Sequence, residues 1–135
     1  MNKHVSTILV VEDEKSLLKA WVEIFRREGF NVLTAQDSRS ALSLVLKWHP
    51  DLLVVDLVLP NSDGLVLVKK LRENKWGQKV PVMFLSGWLG SELSTQDESR
   101  ELDSYFHDNW NFDQVVLEVK NKLKFADYNT AAFKA

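Results

Sequence analysis

No cysteine occurs in the 135 residues, which excludes disulfides and thiolate-bound metal. No apolar run approaches the length a membrane-spanning helix needs. The opening Met1-Asn2-Lys3-His4-Val5-Ser6 leads straight into a strand, without the long apolar core of a signal peptide. A cytoplasmic protein without a membrane partner is therefore expected. Neither sign of charge dominates: the net charge is −2. No global basic field exists to attract nucleic acid, and no direct nucleic-acid binding is expected. The length suits one domain with one core. Five tryptophans (Trp21, Trp48, Trp76, Trp88, Trp110) are read mostly as packing residues.

The apolar runs are short and spaced. Thr7-Ile8-Leu9-Val10-Val11 reads as a buried strand ending in Glu12-Asp13-Glu14. Leu17, Leu18, Trp21, Val22, Ile24 and Phe25 fit one helical face, and Gly29 fits a helix C′ position. A second strand spans Phe30 to Ala35. Asp37 or Ser38 caps a helix that carries Ala41, Leu42, Leu44, Val45 and Trp48 and is stopped by Pro50. A third strand ends on Asp56, before a Pro60-Asn61-Ser62-Asp63-Gly64 turn.

Leu65, Val66, Val68, Lys69 and Leu71 give a third helix that fades by Asn74, and Lys75 to Gln78 reads as a loop. Val80 to Leu85 is a fourth strand, followed by Ser86-Gly87. Ser91 to Leu102 is polar and predicts a weak fourth helix. Tyr105-Phe106-His107 is a short fifth strand. A final helix from about Asp113 to Lys124 buries Val115, Val116, Val119 and Leu123. These readings give one domain over residues 1–124, and a tail or the start of a linker over 125–135. Five β/α alternations predict an α/β, flavodoxin-like (βα)5 fold. Its doubly wound parallel sheet has strand order 2-1-3-4-5 and a switch point between strands one and three.

That topology brings Glu12, Asp13 and Asp56 together at two adjacent strand ends. Taken alone, Asp56 could simply cap its strand. Three clustered carboxylates repel one another, which raises some of their pKa values unless a cation is present. With only hard oxygen ligands on offer, Mg²⁺ or Mn²⁺ is favoured over zinc. An acidic surface patch without metal is the alternative.

Three motifs on successive strand ends, Val11-Glu12-Asp13-Glu14, Pro50 to Pro60 with Asp63-Gly64, and Pro81 to Gly87, resemble the receiver domain of two-component response regulators. The resemblance covers residues 5–124. It implies that Asp56 is the phosphoacceptor, taking a phosphoryl group from a histidine kinase or histidine phosphotransfer protein. Glu12, Asp13, Asp56 and the Val58 carbonyl would hold Mg²⁺. Ser86 would contact the phosphoryl group, and Gly87 would leave room for it. Tyr105 would be the aromatic residue that swings inward. A plain strand-end cap for Ser86 and a packed core aromatic for Tyr105 are the structural alternatives. Signal output would pass through the face of the fourth helix, fifth strand and last helix to a downstream protein or output domain. Val58 and Trp88, each two residues past a site residue, would hinder water and give a long-lived aspartyl phosphate.

One departure stands out. The family's lysine-proline pair after strand five is replaced by Asp108-Asn109, and no lysine lies between Lys79 and Lys120. The pocket would lose a cation and depend more on Mg²⁺. A cis bond before a residue other than proline costs roughly 3 kcal/mol, so the peptide preceding Asn109 is expected to be trans. Two functional classes follow: a working phosphoacceptor with weakened stabilisation, or a pseudo-receiver that binds a partner regardless of phosphorylation. A phosphatase is disfavoured, because a general acid two residues past Asp56 would have to be Val58.

Overall fold

Valine- and leucine-rich runs of four or five residues become strands when both of their faces are covered. The computed structural model of the chain describes residues 5–56, 64–85, 103–106 and 111–134, and of 103–106 and 125–134 the backbone path alone. The strands are β1 (Thr7–Val11), β2 (Asn31–Ala35), β3 (Leu52–Asp56), β4 (Val82–Leu85) and β5 (Asp103–Phe106). They form one parallel sheet in the order β2-β1-β3-β4-β5, the order expected from the sequence. Helices α1 (Lys15–Arg27), α2 (Ser38–Trp48), α3 (Gly64–Arg72) and α4 (Phe112–Lys134) complete the described elements, with a 3₁₀ turn over Trp76–Lys79.

Side-chain alternation divides the core into two layers. Leu9, Val11, Leu53, Val55, Val82 and Phe84 meet Ala41 and Val45 of α2 and Leu67, Val68 and Leu71 of α3. On the other face Ile8, Val10, Leu52, Val54, Met83 and Leu85 meet α1 and α4. Trp21 anchors that layer. It stacks on Phe25 at 5.2 Å and takes the edge of Phe112 at 4.6 Å.

Local chemistry sets the element ends. The Asp37 carboxylate accepts the Ser40 N–H at 2.7 Å and caps α2. Gly29, at φ +94°, follows the last turn of α1. His49 closes α2 in the left-handed region, at φ +47°, ahead of the buried Pro50. Its ring stacks on Trp76 at 3.9 Å, tying the end of α2 to the 3₁₀ turn. Arg72 donates to the carbonyls of Gly77 (2.7 Å) and Val80 (2.5 Å), which folds the chain from α3 back toward β4. A Cβ on Gly77 would stand 2.1 Å from the Leu71 carbonyl oxygen. Gly77→Ala is therefore expected to cost about 2–3 kcal/mol, read as a lower urea midpoint. An unchanged midpoint would mean that the turn shifts freely.

Several expectations need correction. Of the apolar residues read into the third helix, Val68 and Leu71 are buried but Leu65 and Val66 are exposed, and Gly64 and Leu67 are buried beside the first two. Trp48 is exposed rather than packed. Lys75 to Gln78 lies mostly within the 3₁₀ turn, not a plain loop. β5 begins at Asp103, two residues ahead of the expected start. The last helix runs on to Lys134, past the expected end at Lys124. No proline or glycine interrupts residues 112–134, so nothing local stops it. The fourth helix expected over Ser91 to Leu102 lies outside the described residues.

Candidate functional site

The site begins with strand register. The Asp51 N–H donates to the Thr7 carbonyl at 2.8 Å, and the Asp51 carboxylate accepts the Thr7 N–H at 2.7 Å. This two-way clamp joins the starts of β1 and β3. The ladder then pairs Ile8 with Leu52 and Val11 with Val55. One residue further on, Glu12 and Asp56 come level at the carboxyl edge. Asp51 was not singled out from the sequence. The only sequence signal was an acid directly before a buried strand. Asp51→Ala removes the side-chain acceptor and should lower stability by about 1–3 kcal/mol in chemical denaturation, whereas Asp51→Asn keeps an acceptor and most of the stability.

Glu12 is held at both ends. Its N–H donates to the Ala35 carbonyl at 2.9 Å, and its carboxylate accepts the Glu14 N–H at 3.1 Å. Glu14 in turn accepts the Ser16 hydroxyl at 3.0 Å. Glu12 is only 4% exposed, Asp56 is half-buried and Asp13 is exposed. The three residues each offer a carboxylate oxygen, and these oxygens all lie within 4.8 Å of one another. Among the described residues this is the candidate metal centre.

Burial pushes the Glu12 carboxyl up to about 8. The Glu14 N–H opposes that shift. The charge of Asp56, and hydrogen bonds to Asp56 and Asp13, reinforce it. A raised carboxylate was expected here from mutual repulsion. Desolvation turns out to be the larger cause, because Glu12, alone of the three, is buried. At neutral pH the cluster retains a proton. Among the described residues, a cation in its place would meet carboxylate oxygens, the donor type hard divalent ions prefer.

β4 lies in register with β3, with Asp56 opposite Leu85, so the chain leaves β4 beside Asp56 and continues into Ser86. The backbone of Tyr105 pairs with Phe84 in β5. Ser86, Val58, Trp88 and Asp108 lie outside the described residues.

Residues 8–120 match the profile of the response regulator receiver domain. The chain is 30% identical over 117 residues to the sporulation initiation phosphotransferase F of Bacillus subtilis (strain 168), covering 87% of this chain and 90% of that protein. It is 32% identical over 118 residues to the probable transcriptional regulatory protein TcrX of Mycobacterium tuberculosis. That match covers 87% of this chain but only 50% of the relative, so the chain spans half of TcrX's length. The receiver domain of Francisella response regulator 1452 superimposes with a TM-score of 0.78 at 26% identity, covering 90% of this chain and 98% of that one. The profile match runs from β1 into α4 through every strand of the sheet, and the chain belongs to the response regulator receiver domain family.

Proposed function

We propose that Asp56 is a phosphoacceptor whose modification requires Mg²⁺, with Mn²⁺ as a substitute. The observation that carries this reading is the convergence of Glu12, Asp13 and Asp56 at adjacent strand ends, with ligand oxygens within 4.8 Å. An Asp56 carboxylate oxygen attacks the phosphorus of a phosphohistidine on a histidine kinase or phosphotransfer protein. The P–N bond breaks, the imidazole leaves, and an acyl phosphate forms on Asp56. When bound, the cation neutralises charge on the phosphoryl oxygens. Glu12, Asp13 and Asp56, with the Val58 carbonyl, would hold it. Glu12 must first give up its proton, and the Glu14 N–H then stabilises the carboxylate left behind.

Ser86 follows directly on β4 and would donate its hydroxyl to the phosphoryl group. Tyr105 would respond to that contact, and the face around β5 and the last helix would carry the signal to a downstream protein or output domain. Asp108, where the family places lysine, favours one second reading: phosphorylation without strong coupling, in a module that binds its partner in either state.

The test is incubation with acetyl phosphate and Mg²⁺, followed by intact mass and tryptophan fluorescence. A gain of one phosphoryl group that is blocked by EDTA is expected. A mass gain without a fluorescence change would favour the uncoupled module. No mass gain, and no response to beryllofluoride, would sink the phosphoacceptor reading.

A further inference from the structure

The described large apolar side chains that remain exposed are Val5, Leu46, Trp48, Leu65, Val66 and Leu117. Four of these six fall on α2 and α3, the two helices covering one face of the sheet. Leu46, Leu65 and Val66 are 48%, 41% and 45% exposed. The same two helices contain no acid at all. They carry Arg39, Lys47, Lys69, Lys70 and Arg72 in a chain whose net charge is −2. Arg72 turns inward to the Gly77 and Val80 carbonyls, while Arg39, Lys47, Lys69 and Lys70 are exposed.

A groove of about 320 Å³ runs between the helices. Leu42, Val66 and Leu67 line its floor, with Arg39 of α2 and Lys70 of α3 beside them. Leu46 lies one turn on from Leu42 and extends the apolar strip along α2. The α2 and α3 walls each contribute one cation and apolar surface.

We propose that the α2–α3 groove docks an amphipathic helix of a partner protein, with apolar residues on one stripe and Asp or Glu flanking it. Charge complementarity and the apolar floor choose this occupant together. A nucleic-acid backbone would satisfy Arg39 and Lys70 but leave Leu42, Leu46 and Val66 facing phosphate. A helix in a groove matches both features through anchors at i, i+3, i+4 and i+7. This surface is formed by the opposite helices from those of the output face around the last helix, and it does not depend on Asp56.

The probe is a fluorescein-labelled peptide of about five turns, with leucine at helical spacing and glutamate on both flanks. Anisotropy should give a saturable Kd on the order of 10–100 μM. The Arg39→Glu/Lys70→Glu variant should weaken binding about tenfold or more, and should recover it with a peptide whose glutamates are replaced by lysine. Val66→Ser should weaken binding at unchanged net charge. Circular dichroism and acetyl phosphate labelling check that these variants fold. Four results would overturn the proposal: no saturable binding, equal binding of a scrambled peptide, tighter binding of duplex DNA or anionic vesicles, and self-association that buries Val66 in a second copy.

Discussion

Asp56→Asn leaves the protein unable to acquire a phosphoryl group from acetyl phosphate, with no adduct in the intact mass after the wild type has reached its plateau. The substitution is nearly isosteric. It replaces a carboxylate with an amide whose nitrogen lone pair is delocalised and cannot attack phosphorus. Covalent catalysis through a carboxylate has no substitute here once that group is gone. The fold should survive, since Asp56 is only half-buried and β3 is held by Leu52, Leu53, Val54 and Val55, all buried. The charge of Asp56, and its hydrogen bond, are among the causes that raise Glu12. Asp56→Asn should thus bring Glu12 down part of the way while burial still holds it above its ordinary range. An adduct on Asp56→Asn at the wild-type rate would place the acceptor elsewhere, with the neighbouring Asp13 the first residue to replace.

The second large effect is on metal binding. Because the Glu12 carboxyl is pushed up to about 8, a cation entering the cluster must displace a proton at any lower pH. Mg²⁺ affinity should rise about tenfold per pH unit from pH 5 to pH 7 and level off above pH 8, so about fiftyfold separates pH 6 from pH 8. Isothermal titration at several pH values measures this directly. Glu12→Gln should flatten the profile while weakening affinity throughout.

The stability of the metal-free protein moves the opposite way. The folded state holds the Glu12 proton up to about pH 8, while the unfolded chain releases it near 4.5. Between those values the folded state binds more protons, so its stability falls as pH rises, by a few kcal/mol across the window. Added Mg²⁺ should therefore raise the Tm much more at pH 8 than at pH 6. A Tm that is flat with pH, together with a pH-independent metal affinity, would show that Glu12 does not carry the proton.

The site was legible because it follows from alternation and strand ends. A buried run that stops on an acid marks a carboxyl edge, and Asp56 and Glu12-Asp13 are two such stops on strands the topology makes neighbours. The pieces that were not legible depend on distance or on phase. The Asp51–Thr7 clamp joins residues 44 positions apart, and nothing near Asp51 announces its partner. Val66 and Leu67 are both apolar, so composition could not say which one faces the sheet. The helix phase put Leu67 inward and left Val66 in the groove. Trp48 suits a core by size, yet it sits on the last turn of α2, just before the chain turns at His49 toward β3, and it is exposed. The size of the Glu12 shift depended on how deeply its side chain is buried, which a sequence does not carry.

The register has a consequence for how the chain acquires its shape. No two adjacent strands are joined by a hairpin: even Val82 and Asp103, in β4 and β5, are partners across a whole connection. Loop closure must precede every pairing, which places folding in the slower range for a domain of this size. β1 touches both β2 and β3, so the first three strands of this domain are contiguous in the sheet. All three carboxylates of the cluster belong to that three-strand unit. The carboxylate cluster is thus encoded entirely in the first half of the domain, ahead of β4, β5 and the last helix.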